Sequence, residues 1–140
     1  MYEPLLTFLD PLLRPGERMR WLCLLLLVTL VSVMLFIGSR PGVEVIIPNP
    51  PWDKVAHLIA YGGFATLTWV FLRGASTFWP LAAVGLIGLM DEAMQYYSPG
   101  RAADFRDIIA DLTGGLLAVL ALKYLQAAAQ RQESAARISG

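Results

Sequence analysis

Apolar residues recur along this chain in four long runs, Trp21 to Gly38, Lys54 to Leu72, Phe78 to Tyr97 and Arg106 to Leu125, separated by segments rich in proline, glycine and charge. At about 1.5 Å per residue, each run is about long enough to cross a roughly 30 Å hydrocarbon core as a helix. The first is apolar throughout, and the other three carry polar residues at one end. The pattern predicts an all-α, polytopic membrane protein: a four-transmembrane-helix bundle in a single domain. Its divisions are a leader at 1–20, the bundle at 21–125 and a tail at 126–140. In the leader, Leu5, Leu6, Leu9, Leu12 and Leu13 fall near one helical face, with Glu3 and Asp10 available to the other. That suits a short interfacial helix, shortened or broken by Pro4 and Pro11; a disordered leader is the alternative.

The connections are marked by their turn formers. Pro41, Gly42, Pro48, Pro50 and Pro51 surround a short apolar piece, Val43 to Ile47, that is either a strand or a dip into the interface. Asp53 reads as an N-cap for the second span, which ends near Arg73 and Gly74; Ser98, Pro99 and Gly100 turn the corner into the fourth. Beyond Leu125 the tail is expected to continue as helix for a few turns and then fray. Arg14, Arg18 and Arg20 form a basic collar before Trp21. The run that follows is too long for an ordinary signal peptide and lacks a small-residue cleavage site, so it reads as an uncleaved span.

Composition sharpens the class. The chain is 56% hydrophobic and 16% charged, which is strongly apolar for 140 residues, and its zero net charge offers no field for nucleic acid. The single cysteine, Cys23, rules out an intrachain disulfide. Charge position sets orientation. Arg14, Arg18, Arg20, Arg73, Lys123, Arg131 and Arg137 fall on one side of the four spans and Arg40, Lys54, Arg101 and Arg106 on the other, so both termini are expected in the cytoplasm. Glu44, Asp53, Asp91, Glu92, Asp104, Asp107 and Asp111 fall on the other, toward the outer face.

Ionisable groups at membrane depth are costly and call for a reason. Lys54, His57 and Tyr61 share one helical face at spacing i, i+3, i+7, with Asp53 at its edge; Glu92 and Gln95 lie three apart on the next span. Asp104, Asp107 and Asp111 repeat the i, i+3, i+7 stripe on the last, just after Arg101. All three stripes lie at one depth and are expected to face one another around a cavity open to the outside. Simpler roles exist for several: Asp53 and Asp104 as N-caps, Lys54 and Arg106 as interface anchors, Tyr61, Tyr96 and Tyr97 as an aromatic belt. Asp91, rotated about 100° from Glu92, faces either headgroups or a neighbouring helix. Paired glycines, Gly62-Gly63 and Gly114-Gly115, predict that the second and fourth spans approach closely.

The set Asp53-Lys54-x-x-His57, then Glu92-x-x-Gln95, then Pro99-Gly100-Arg101 followed by Asp104, Asp107 and Gly114-Gly115 resembles the VanZ-like family of bacterial membrane proteins. The resemblance covers about Trp52 to Leu117, and the order and spacing of the motifs carry it. Where the family pattern generally has asparagine, this chain has Asp111. The resemblance implies a multi-pass protein of the bacterial cytoplasmic membrane with a cell-envelope role. The founding member is linked to low-level resistance to teicoplanin, a lipoglycopeptide.

Three functional readings follow from these residues. In the first, the site binds, with or without acting on it, an anionic lipid or lipid-linked glycan headgroup. Arg101 and Lys54 would meet phosphate, with Asp53, Tyr61, Gln95, Asp104 and Asp111 around it. If chemistry occurs, His57 and Glu92 are the proton-transfer candidates, with Asp107 orienting His57 or Arg101. In the second, His57, Glu92, Asp107 and Asp111 hold a divalent ion, magnesium or manganese by the chemistry of the ligands. The third reading is non-enzymatic: an ion-pair clamp within a membrane scaffold, a module for a membrane-protein partner, or a homo-oligomer.

Overall fold

The computed structural model describes residues 3–38, 40, 52–74, 76–98 and 104–139. Regular structure among them is helical throughout: α1 (Glu3–Leu13), α2 (Glu17–Gly38), α3 (Trp52–Phe71), α4 (Phe78–Tyr96) and α5 (Phe105–Ser139). The expected piece at 43–47, the Pro99-Gly100 turn and Arg101 lie outside the described residues.

At one chain end the expected short leader helix forms, through Leu13 and with Pro11 inside it; at the other the expectation is corrected. The last helix does not fray after a few turns but runs unbroken to Ser139. Its continuation, Gln126 to Ser139, is rich in alanine, glutamine and charge and holds no glycine or proline, so nothing in it stops a helix. At about 1.5 Å per residue α5 is roughly 50 Å long, well beyond the roughly 30 Å of a hydrocarbon core. The leader packs on this extension: Arg14 pairs with Glu133, Leu13 is buried and Leu12 lies against the core.

Helix α3 is the centre of the packing, touching α2, α4 and α5. It contributes Tyr61, Phe64, Ala65, Trp69 and Val70 to a core completed by Cys23 of α2, Val84 and Ile87 of α4, and Val119 and Leu122 of α5. The tightest seam is α3 on α5. A Cβ on Gly114 would overlap the Leu58 carbonyl group, and one on Gly62 would sit 3.2 Å from the Gly114 oxygen, so the two backbones meet there. Gly114 and Ala118, four residues apart, form the small-residue ridge that permits it. Gly88 plays the same part for α4: a Cβ there would stand 2.7 Å from Asp111 Oδ2.

Outward surfaces are apolar. Leu25, Val33 and Phe36 of α2, Leu86 and Leu89 of α4, and Leu117 and Leu120 of α5 are all exposed, far more than water tolerates in one molecule. Two helices, Glu17–Gly38 and Phe105–Ile138, are long and apolar enough to cross a membrane. The two ends of the bundle differ in kind. At one, Arg20 Nε donates to the Phe71 carbonyl at 2.7 Å, and Glu17 pairs with both Arg20 and Arg73. The acidic groups gather at the other.

Candidate functional site

The acidic end is assembled from the first three turns of α3, the last two of α4 and the first two of α5. Helical periodicity puts Lys54, His57 and Tyr61 on the α3 face that meets α5, while Asp104, Asp107 and Asp111 return the matching face. Contact follows from the close α3–α5 seam. Lys54 Nζ lies 2.9 Å from Asp104 Oδ2 and 3.4 Å from Asp53 Oδ2, and it also donates to Asp107. One ammonium is thus held by carboxylates from the starts of two helices. His57 Nδ1 donates to Asp111 Oδ1 at 2.8 Å, which leaves Nε2 toward Asp107, 3.9 Å from its Oδ2. The group that orients the imidazole is therefore Asp111, with Asp107 committed mainly to Lys54.

Helix α4 closes the cluster. Glu92 is buried, and its Oε2 accepts the Asp104 backbone N–H at 2.8 Å, tying α4 to the start of α5. Gln95 Nε2 donates to Asp91 Oδ2 at 2.9 Å, and both residues are buried. Asp91 thus faces the protein interior rather than headgroups, and it belongs with the cluster. Its spacing of four from Gln95 was the available signal, hidden because Asp91 and Glu92 are neighbours that point about 100° apart on a helix.

Tyr61 is not a belt residue. It is 1% exposed and stacks on His57 with ring centroids 5.8 Å apart and planes within 6°. Its hydroxyl has no hydrogen-bond partner among the described residues, and the same is true of Glu92 Oε1. Both atoms are buried within the cluster, and four carboxylates, Asp111, Asp91, Glu92 and Asp107, lie within electrostatic range of the Tyr61 hydroxyl. Tyr96 and Tyr97, by contrast, are exposed as belt residues are.

Asp104 holds two posts. Its Oδ1 accepts the Arg106 N–H at 2.9 Å, an N-cap bond, while Oδ2 holds Lys54. The Lys54 ammonium keeps this carboxyl below the ordinary carboxylate range. Asp53 stands in the first turn of α3 rather than before it, and its Oδ1 accepts the Lys54 N–H at 2.8 Å. Among the described residues no three histidine, cysteine or acidic groups stand placed to grip a metal ion. The Lys54 ammonium stands among three of the carboxylates, Asp53, Asp104 and Asp107.

A model of the VanZ/LLP1 family matches residues 12–126, most of the chain. The chain belongs to the VanZ/LLP1 family. The match takes in every residue of the acidic cluster and all of α2, α3 and α4, so the cluster is set in the family's own framework and not in a local addition. Family membership and the two long apolar helices together mark a membrane protein. Comparison with curated proteins and with solved structures found no match.

Proposed function

We propose that this is a multi-pass cell-envelope membrane protein whose acidic end binds the polar headgroup of a membrane lipid or lipid-linked glycan at the outer leaflet. Helices α3 and α4, at 20 and 19 residues, would join the two longer apolar helices as spans, each about 30 Å long. Arginines concentrate at the opposite end of the bundle, where α2 begins and α3 ends, which supports a cytoplasmic position for that end and for both termini. The observation that carries the reading is the pair of buried polar atoms, Tyr61 Oη and Glu92 Oε1, unpartnered in the middle of a cluster drawn from three helices. Buried polar atoms are nearly always satisfied, so two of them within one cluster suit groups brought by a ligand.

The test is a native mass spectrum of the detergent-purified protein beside Glu92→Gln. A headgroup-bearing lipid retained by the first and lost by the second, with equal thermal stability, supports the reading. Bare folded protein in both spectra points to the second reading, a structural clamp. That alternative has its own support: Lys54 bridges α3 to the start of α5 through two carboxylates, Asp104 and Asp107, an arrangement that fixes one helix against another. In it the cluster specifies how the helices register, and lipid is incidental.

A further inference from the structure

We propose that the groove between α2 and α3 is a resident lipid site, and that one acyl chain of a bilayer phospholipid lies in it as part of the bundle's packing. The groove has a volume of about 580 Å³ and is walled by Leu30, Val33 and Met34 of α2 and by Ile59, Gly63 and Leu67 of α3. Gly63 lies near the middle of α3, which with α3 as a span sets the groove at hydrocarbon depth. It is a separate place from the acidic cluster, because Ile59 follows His57 by two residues and so stands about 200° round the helix from it. What the acidic end binds has no bearing on it.

The groove exists because α2 is seated unevenly. At its start α2 is fastened to the end of α3: Arg20 Nε donates to the Phe71 carbonyl at 2.7 Å, and Trp21 meets Phe71 edge to face with ring centroids 5.7 Å apart. Cys23, close by, is the buried side chain of α2. Farther along, Leu30 and Val33 line the groove instead of closing it. Gly63 forms its floor. A Cβ built on Gly62, Gly88, Gly114 or Gly115 would meet a neighbouring helix at 3.2 Å or less, whereas nothing lies within 4 Å of one built on Gly63. Glycine weakens a helix relative to alanine, and at Gly63 no close approach of another described element offsets that.

The lining chemistry selects the occupant. Thr66 brings the one hydroxyl among the lining side chains, and its Oγ1 donates to the Gly62 carbonyl at 2.9 Å, so the walls offer nothing to hold a polar ligand or ordered water. An empty groove would forfeit dispersion contacts along both walls. Its volume falls within the roughly 300–1,000 Å³ of small-ligand clefts. A helix from a second copy is too thick for it. Laid beside the roughly 12 Å from Ile59 to Leu67, a helix about 10 Å across takes up about 950 Å³, so its backbone would rest on the rim above Gly63. A chain one methylene wide reaches the floor.

The experiment reconstitutes the full chain in phosphatidylcholine vesicles carrying a trace of a phosphatidylcholine with a diazirine midway along one acyl chain. After photolysis, adducts are mapped by mass spectrometry of peptides. Leu86 of α4 and Leu117 of α5, both exposed, report ordinary contact with bulk lipid. The expected result is a severalfold higher yield on Leu30, Ile59, Gly63 and Leu67 than on those two, falling to their level in Gly63→Leu, whose side chain enters the groove. Gly63→Ala is the second variant, should Gly63→Leu not fold, because the space around Gly63 admits a methyl group; it is expected to give a smaller fall confined to the groove. Equal yields on groove and reference residues in the native chain mean bulk lipid alone and overturn the proposal. Groove residues spared while Leu86 and Leu117 are labelled mean that protein covers the groove, and overturn it equally. A high groove yield that Gly63→Leu, folded, leaves unchanged overturns the assignment of Gly63 as the floor on which the chain rests, and the proposal with it.

Discussion

Gly114 is the position at which the α3–α5 seam can be tested most sharply. In Gly114→Ala the new Cβ would stand 2.9 Å from both the carbonyl carbon and the Cα of Leu58, and would overlap the carbonyl oxygen. Unstrained carbon contacts begin near about 3.5 Å, so the carbon contacts alone require the backbones to part by about 0.6 Å, and the overlapped oxygen requires more. Those atoms are backbone of a packed helix and cannot swing aside as a flexible side chain would. Overpacking of this kind costs about 1–3 kcal/mol. The same separation stretches the His57–Asp111 bond, 2.8 Å in the native packing, toward the limit of a hydrogen bond; with a charged acceptor that loss is worth about 1–2 kcal/mol. Against this, alanine stabilises a helix over glycine by about 0.5–1 kcal/mol. The net expectation is a destabilisation of about 1–4.5 kcal/mol. Gly63→Ala is the matched control, because nothing lies within 4 Å of a Cβ built there. It should be neutral or gain about 0.5–1 kcal/mol. Unfolding of the purified protein by sodium dodecyl sulfate, followed by circular dichroism, reads both variants. Equal midpoints for the two would refute the close seam, and with it the argument that Gly114 brings His57 to Asp111.

Two further predictions concern the cluster. Asp111→Asn keeps an oxygen to accept from His57 Nδ1 and should change stability by less than about 1 kcal/mol, whereas Asp111→Ala orphans that N–H beside a cavity and should cost about 1–3 kcal/mol more; equal costs in the same unfolding assay would deny the bond. Asp104 titrates below its ordinary value near pH 4 because Lys54 stabilises its charged form. Its contribution to stability is therefore complete above about pH 4 and declines as pH falls through its lower folded value. Unfolding midpoints measured from pH 5 to pH 2 should show this decline in the wild type and a weaker one in Lys54→Met; identical slopes would mean that the two groups do not interact.

The sequence by itself determined the helices and the faces. Long apolar runs leave a backbone in hydrocarbon only the helical solution, so α2, α3 and α4 begin and end within a few residues of their expected positions, and α5 begins at its own but runs on well past Leu125. The i, i+3, i+7 spacing is a property of the helix alone, and it sufficed to put Lys54, His57 and Tyr61 on one stripe and Asp104, Asp107 and Asp111 on another. The family, too, was legible in those spacings. What periodicity leaves open is the rotation and register of one helix against another, and only tertiary packing decided those. Asp111 rather than Asp107 orients His57 because Gly114, three residues on, lets α5 press against Leu58, one residue past the histidine. Tyr61 is buried and Tyr96 exposed for the same reason, since one lies on a face that meets neighbours and the other on a face that does not. Asp91 joins the cluster because Gly88, nearly one turn earlier on α4, brings that helix to within reach of Asp111. A pattern along one chain names the groups that share a face; which group meets which is settled where two backbones lack a side chain between them.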